Sequence, residues 1–125
     1  MFIPKGLQYT RNHLWLRKIG VYDYFIGLTD FAQKEIGRIN LIELKLEDDC
    51  MKKEILWGTI YGYNETFTLV SPFECKIMST NITLDKSPSS INNNPYLNWL
   101  LRVSVEMVIS PSAFLSSEEY IELIL

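Results

Sequence analysis

Residues 26–33 read Ile26-Gly27-Leu28-Thr29-Asp30-Phe31-Ala32-Gln33. They end a run over residues 21–28 that is rich in aromatic and β-branched side chains, which is typical of a strand. Thr29 can cap a helix, because its hydroxyl accepts a hydrogen bond from a backbone N–H of the first turn. Gly37 provides a common helix stop. This stretch therefore predicts a strand that passes directly into a short helix over residues 30–36.

Strand patterns fill most of the chain on both sides of this stretch. Residues 13–19 are also rich in aromatic and β-branched residues, and Gly20 separates them from residues 21–28, which predicts an antiparallel hairpin. In three later segments apolar and polar residues alternate, so one face of each strand is buried and the other is wet. The apolar residues of these segments are Ile42, Leu44 and Leu46; Phe73, Cys75 and Ile77; and Leu101, Val103, Val105 and Met107.

Helices are predicted at two places. The inward face of the first is assigned to Phe31, Glu35 and Ile36. The second begins near Ser116 or Ser117, with two glutamates in its first turn, where negative charge suits the helix dipole. The side chains that it carries toward the body of the protein are Tyr120, Leu123 and Ile124. Many short strands with one early and one terminal helix predict a mainly β fold, a small antiparallel barrel or sandwich with helical caps.

The bulk composition fits a single domain covering residues 1–125. The hydrophobic fraction of 47% allows a real core, and the net charge of −3 argues against nucleic-acid binding, because phosphate contacts need a basic face. The apolar runs are far shorter than the roughly 20 residues that span a bilayer, so no membrane association is predicted. The N-terminus lacks the basic start and apolar stretch of a signal peptide, which predicts a cytoplasmic protein.

The residues capable of chemistry form no recognisable catalytic or metal-binding motif. Cys50 and Cys75 lack CxxC spacing, and the only histidine, His13, does not complete a metal set with them. We expect two reduced thiols, buried or half-buried. His13 stands beside Trp15 and is interpreted as a surface or packing residue rather than an acid or base. No nucleophile elbow, phosphate loop or paired carboxylates occur, so we predict no catalytic residue, no metal and no enzymatic activity.

Five segments, in order along the chain, resemble the glycine cleavage H-protein family. They are Leu7 to Arg17, with Tyr9, Thr10, His13 and Trp15; Ile26 to Gln33, closing at Gly37; Ser71-Pro72 with Ile77 and Asn81; Pro88, Ile91-Asn92, Pro95-Tyr96 and Trp99; and Leu115 to Tyr120. The match is nearly gapless up to Tyr96, with one residue missing before Trp99, and it covers essentially the whole chain. On these motifs the chain is identified as a member of the family.

The resemblance implies both a fold and a function. Family members resemble a barrel-sandwich hybrid of two small antiparallel sheets, here with a short early helix, a short helical turn in the late loop and a C-terminal helix. They carry a lipoyl group on a lysine at the tip of a tight hairpin, and do no chemistry themselves. The implied partners are glycine decarboxylase, aminomethyltransferase and lipoate ligase. In the family the lipoyl arm carries an aminomethyl group from the decarboxylase to the aminomethyltransferase.

The resemblance places the carrier lysine at Asn64. Counting back without gaps from Ser71-Pro72 puts the family's tip motif on Tyr61-Gly62-Tyr63-Asn64-Glu65, and counting forward from Glu43-Leu44 gives the same register. A carboxamide nitrogen is not a usable nucleophile for lipoylation, because its lone pair is delocalised into the carbonyl. Asparagine does suit a turn, since it tolerates the left-handed conformation. We therefore expect no lipoate on this chain, and a non-lipoylated scaffold or partner-binding module.

Neighbouring positions also depart from the family pattern. The acidic residue usual after the helix-closing glycine is Arg38 here, and the acidic approach to the tip is Tyr61. We take Tyr61, Tyr63 and Glu65 as candidate contact residues of the hairpin tip. By period Tyr61, Tyr63 and Phe67 share one face. That face either packs against the barrel or forms an exposed contact surface.

Two rival hypotheses remain open. In one, the chain is a working lipoyl carrier modified at another lysine, Lys53 or Lys76, between which no lysine lies. The segment Met51-Lys52-Lys53 superficially resembles a biotin-carrier motif, but it lacks the second methionine and is interpreted as a solvated basic turn. In the other, the protein is an enzyme with an unrecognised pocket, which requires a deep cleft with converging polar groups.

Overall fold

Nine strands and four helices make up the computed structural model, which describes residues 1–125. The strands are β1 Gln8–Tyr9, β2 Leu14–Lys18, β3 Asp23–Leu28, β4 Ile39–Leu44, β5 Cys50–Met51, β6 Leu56–Gly62, β7 Thr66–Val70, β8 Cys75–Thr80 and β9 Leu101–Ser104. The helices are α1 Asp30–Ile36, α2 Thr83–Lys86, α3 Ser90–Asn93 and α4 Ser117–Ile124, and a 3-10 turn spans Pro111–Ala113. None of the helices has the length and apolar content that crossing a membrane requires.

The strands form two antiparallel sheets. Six of them pair in the order β1-β2-β3-β9-β8-β5, and the other three in the order β4-β6-β7. The predicted first hairpin is present as β2 and β3, with Leu14 opposite Leu28 and Lys18 opposite Tyr24. Two antiparallel sheets with an early helix, helical turns in the late loop and a terminal helix confirm the predicted mainly β class.

The alternating segments turn the predicted faces inward, with one error in the last segment. Phe73 and Cys75 are buried, whereas the others of the first two segments are half-buried against the core: Ile42, Leu44, Leu46 and Ile77. Leu101 and Val103 are completely buried and Val105 nearly so, but Met107 is 78% exposed. Strand β9 ends at Ser104, and the chain then leaves the sheet. Where the chain is no longer paired in the sheet, alternation of apolar and polar residues does not indicate which side chains are buried. The prediction that Met107 lies on the buried face is therefore wrong.

Helix α1 has the predicted bounds but a different inward face. The hydroxyl of Thr29 accepts a hydrogen bond from the Ala32 N–H at 3.2 Å, and Gly37 ends the helix at a positive φ of 79°. Its buried side chains are Asp30, Ala32, Gln33 and Ile36. These positions are spaced three and four residues apart and form one helical face, which leaves Glu35 exposed. The assignment of Glu35 to the inward face is therefore wrong.

Two clusters of apolar side chains fill the interior. The larger contains 20 buried residues and draws on both sheets, with Ile26 from the six-stranded sheet and Ile60 from the three-stranded one. The smaller cluster consists of Tyr9, Trp15, Tyr96 and Tyr120. Fully burying one such aliphatic side chain contributes about 1.5–3 kcal/mol, so the larger cluster is the main force that holds the two sheets together.

The terminal helix α4 is fixed by its first turn and by Tyr120. A complete capping box begins at Ser116, and the Tyr120 hydroxyl lies 2.9 Å from His13 Nδ1 and 2.7 Å from Thr29 Oγ1. The packing interpretation of His13 is therefore confirmed. Leu123 is 38% exposed, contrary to the prediction that it faces inward, because only one side of this short surface helix reaches the body.

The two thiols point to opposite faces at the edge of the six-stranded sheet. Met51 pairs with Cys75 and Cys50 pairs with Lys76, so Cys50 and Cys75 are offset by one residue in the ladder. Both are free cysteines. Burial raises the pKa of the Cys75 thiol to about 11, whereas Cys50 is exposed on edge strand β5. The expectation of a buried or half-buried thiol is confirmed for Cys75 and wrong for Cys50.

Candidate functional site

The hairpin of β6 and β7 ends in a tight loop, Tyr63-Asn64-Glu65. Tyr61 and Thr66 form the last cross-strand pair, and the Gly62 N–H donates to the Glu65 carbonyl at 3.1 Å. All three loop residues are exposed. The structure thus brings the four candidate residues, Tyr61, Tyr63, Asn64 and Glu65, together at one hairpin tip.

Backbone hydrogen bonds hold this tip against the end of α1. The Asn64 N–H donates to the Ile36 carbonyl at 2.9 Å, and the Tyr63 N–H donates to the Arg38 carbonyl at 2.9 Å. The Glu65 N–H also reaches the Ile36 carbonyl, at 3.4 Å. The Ile36 carbonyl is one of the last in the helix, which have no partner within the helix itself. The loop therefore provides the hydrogen-bond donors that this helix carbonyl lacks, and these bonds hold the tip to the body of the protein.

Two glycines permit this close approach. A Cβ placed on Gly62 would lie 2.2 Å from Ile36 Cγ2 and 2.5 Å from the Ile36 carbonyl oxygen. A Cβ placed on Gly37 would lie 2.9 Å from both Cγ and Nδ2 of Asn64. Real Cβ atoms are not found so close to other heavy atoms. Glycine is therefore required at position 62 by the contact with Ile36, and at position 37 mainly by the positive φ of 79°, since the exposed Asn64 side chain could move aside.

Asn64 does not use the backbone conformation that its residue type favours. The residues other than glycine with a positive φ are His13 and Glu54, so Asn64 lies in a turn without using the left-handed conformation that asparagine tolerates. The loop is closed instead by its hydrogen bonds to α1. The Asn64 carboxamide lies over Gly37 at the surface.

The aromatic residues of the hairpin do not share one face. Tyr63 is 84% exposed, and Tyr61 is 36% exposed on the outer face of the sheet. Phe67 lies opposite Ile60, which is completely buried, and packs against the larger core cluster. The packing interpretation is confirmed for Phe67, whereas Tyr63 has the exposure expected of a contact residue.

The two lysines of the rival carrier hypothesis lie away from the tip. Lys53 precedes β6, at the end of the hairpin where Leu56 pairs with Val70. The seven residues of β6 separate that end from the tip by about 20 Å. Lys76 belongs to the six-stranded sheet, where it pairs with Cys50 and Ser104. Neither lysine lies at the hairpin tip.

A polar cleft of about 520 Å³ adjoins the tip, between the end of α1 and the turn of α3. Its lining residues are Gln33, Lys34, Gly37, Arg38, Ser89, Asn92 and Asn93. Asn92 holds its walls together: its Nδ2 donates to Gln33 Oε1 at 2.8 Å and to the Gly37 carbonyl at 2.9 Å, and its Oδ1 accepts from the Ile39 N–H at 2.9 Å. We refer to this feature as the polar cleft.

Sequence reasoning missed the polar cleft, because its two walls lie more than fifty residues apart in the chain. The one available signal was the run of turn-forming polar residues over 86–95. The cleft is open, and the amides of Gln33 and Asn92 are already bonded within the chain. No group of three or more histidine, cysteine, aspartate or glutamate side chains converges in the protein.

The charges beside the cleft are unevenly paired. The Lys34 ammonium lies 3.5 Å from Asp30 Oδ2. Burial alone would raise the pKa of Asp30, but hydrogen bonds from the Phe2 N–H and Gln33, together with the Lys34 charge, outweigh it and hold that pKa below its usual value. Arg38 is exposed and takes part in no ion pair.

Comparisons with known proteins agree with this architecture. The model of the glycine cleavage H-protein family matches residues 7–125. The glycine cleavage system H protein of Listeria welshimeri is 36% identical over 121 residues, covering 96% of each chain. That of Clostridioides difficile is 32% identical over 114 residues, covering 91% of each chain. The crystal structure of a glycine cleavage system H protein from Mycobacterium marinum matches with a TM-score of 0.83 at 21% identity, covering 96% of this chain and 97% of that one. This structural likeness confirms the predicted barrel-sandwich fold.

Proposed function

The chain belongs to the glycine cleavage H-protein family, and from this premise we propose that it is a non-lipoylated member that works by binding a partner protein through its hairpin tip. The family consists of lipoyl carriers rather than enzymes. The observation that carries the proposal is the tip itself, where an ordered three-residue loop presents Asn64 and no amine.

The residues at the tip do not fit a covalently attached lipoyl group. We take Asn64 as the counterpart of the family's lipoyl lysine, and its carboxamide lacks a free lone pair with which to form the new amide. Its side chain is also too short to serve as a swinging arm. Tyr61, Tyr63 and Glu65 offer hydroxyls and a carboxylate, none of which replaces a primary amine. We therefore propose that this protein carries no lipoate.

The geometry supports a contact role for the same loop. Tyr63 projects into solvent from a loop whose backbone is fixed by two hydrogen bonds of 2.9 Å, one to Ile36 at the end of α1 and one to Arg38 just beyond it. Exposed tyrosines on a rigid support are favoured in protein interfaces, because little conformational entropy is lost when they bind. The family partners, glycine decarboxylase, aminomethyltransferase and lipoate ligase, are the proteins that we propose to test first.

The carrier hypothesis stays second. A carrier modified at Lys53 or Lys76 would have its arm at the base of the hairpin or on the other sheet, about 20 Å from the tip in the first case. No contact in this protein favours either lysine over the other exposed lysines. An enzymatic function has no observation in its favour.

The test is the intact mass of the protein after co-expression with a lipoate ligase. We expect no mass increase in the natural chain and a lipoyl-sized increase in Asn64→Lys, because this change restores the amine on an already ordered loop. Thr68→Lys is the matched control, an exposed position on the same hairpin but within β7, and it should stay unmodified. A lipoyl-sized increase on the natural chain, mapped to one lysine, would reject the proposal in favour of the carrier hypothesis.

If Asn64→Lys folds but stays unmodified, recognition by the ligase also depends on the neighbouring tip residues that differ from the family pattern. The combined variant Tyr61→Glu with Asn64→Lys then restores the acidic approach that the family resemblance assigns to position 61. Modification of that variant alone would assign ligase recognition to the tip surface.

A further inference from the structure

We infer that the polar cleft is a docking site for an acidic segment of a partner protein. This inference rests on the proposed function, since it takes the hairpin tip and its surroundings as a contact surface. The cleft has a volume of about 520 Å³ and is lined by seven residues, none of them hydrophobic and none of them acidic. Two of the seven, Lys34 and Arg38, are cations.

The polar groups of the cleft divide into those that are used within the chain and those that are free. Gln33 and Asn92 bond each other and their surroundings, so they build the walls. Arg38 is exposed and takes part in no ion pair, and the Lys34 side chain is 52% exposed despite its contact with Asp30. The side chains left to face an occupant are therefore two cations, the unpaired Arg38 and the partly engaged Lys34, and the neutral Ser89 and Asn93.

The charge of the cleft contrasts with that of the whole chain. The protein has a net charge of −3, so its overall charge does not attract an acidic partner and any attraction is local. Asp30 beneath Lys34 and Glu65 on the tip are acidic, but neither lines the cleft. A guanidinium binds a carboxylate through two parallel hydrogen bonds, which makes Arg38 the residue best suited to orient such a partner.

The position of the cleft favours a protein segment over a small free anion. Gly37 lines the cleft and also lies under the Asn64 side chain, so the cleft and the tip form one continuous surface. That surface carries the exposed Tyr63 beside Arg38, whose carbonyl accepts the Tyr63 N–H. Tyrosine and arginine are enriched where proteins meet, so the occupant is an extended acidic segment that runs past the tip.

The experiment measures the fluorescence anisotropy of a short labelled oligoglutamate peptide with the protein at an ionic strength of about 0.1 M, where the Debye length is about 10 Å. We expect saturable binding that weakens with salt, and about a tenfold loss of affinity in the double variant Lys34→Glu, Arg38→Glu. The matched control is Lys52→Glu, Lys53→Glu, which makes the same change of charge at another exposed basic pair. That control should bind within about twofold of the natural chain, because screening confines such effects to nearby charges.

Three results would overturn the inference: absence of peptide binding, an equal loss in both double variants, and displacement of the peptide by inorganic phosphate at a similar concentration. The last would identify a small-anion site instead. Because Lys34→Glu also breaks the contact with Asp30, the single variant Arg38→Glu, which breaks no ion pair, is measured beside it. Amide shifts in the NMR spectrum should map the peptide to Lys34, Gly37, Arg38 and Asn93.

The mass measurement on the natural chain separates this inference from the proposed function. A lipoylated natural chain that still binds the peptide at the cleft would reject the non-lipoylated function and retain the docking site. An unmodified chain that does not bind the peptide would retain the non-lipoylated function and reject the docking site.

Discussion

The substitution Gly62→Ala tests whether the hairpin tip is fixed by its contact with α1. The new Cβ would lie 2.2 Å from Ile36 Cγ2 and 2.5 Å from the Ile36 carbonyl oxygen, over 1 Å inside ordinary contact. Ile36 is completely buried, and its carbonyl belongs to the helix, so neither atom can simply move aside. Gly62 has no positive φ, and the steric contact is therefore the main cost of the alanine.

The magnitude follows from two effects. Overpacking of this kind costs about 1–3 kcal/mol. A shift of the hairpin by about 1 Å stretches the hydrogen bonds from Asn64 to Ile36 and from Tyr63 to Arg38 beyond useful length, at about 0.5–1.5 kcal/mol each. Alanine offsets about 0.4–1 kcal/mol of this loss, because it lowers the conformational entropy of the unfolded chain. We expect a net loss of about 2–4 kcal/mol in the free energy of unfolding, or about 8–15 °C in Tm for a chain of this length.

The assay is urea denaturation followed by circular dichroism, with hydrogen exchange of the tip amides. Gly20→Ala is the control, because its Cβ would meet only the Asp23 side chain, no closer than an ordinary 3.4 Å, and it should change stability by less than about 1 kcal/mol. In Gly62→Ala the amides of Tyr63 and Asn64 should exchange faster even under native conditions. Equal stability of the two variants, or unchanged protection of those amides, would refute the account of a fixed tip.

Two further predictions concern the supports of the site. Asn92→Ala removes three hydrogen bonds, two that join α3 to Gln33 and Gly37 and one that joins it to Ile39 in β4, and should lower the free energy of unfolding by about 2–4 kcal/mol in urea melts. Asn93→Ala, whose exposed side chain makes no such bonds, should stay within about 0.5 kcal/mol. Burial lowers the pKa of His13 below its ordinary 6.5, so the unfolded state takes up the proton first and stability falls as the pH drops below about 6.5. Asn at position 13 tolerates the positive φ of 66° and does not titrate, so His13→Asn should lose that slope in urea melts between about pH 7.5 and about pH 5. The lowered pKa of Asp30 acts separately, since its contribution is lost only when the pH falls below the ordinary aspartate value of 3.8. A slope that persists in the variant would contradict the assignment to His13.

Local sequence determined the elements that need only neighbouring residues. The Thr29 cap and the Gly37 stop fix α1 at residues 30–36, because both act through backbone groups within one or two turns. The alternation of Leu101 and Val103 with polar residues fixes which side of β9 is buried, since side chains alternate across a strand whatever its partner is. The absence of an amine between Lys53 and Lys76 is likewise a property of the sequence alone.

The tertiary structure decided everything that joins distant residues. Only the folded chain brings Asn64 to Ile36, and Asn92 to Gln33 and Gly37, and these contacts create the fixed tip and the polar cleft. They also explain why the turn at Asn64 needs no left-handed residue, since hydrogen bonds to a helix end close its loop. The physical reason is that the pattern of apolar and polar side chains fixes which side of a helix or strand is buried. Which helix end, loop or glycine meets that face depends on how the two sheets pack, and hence on residues tens of positions away.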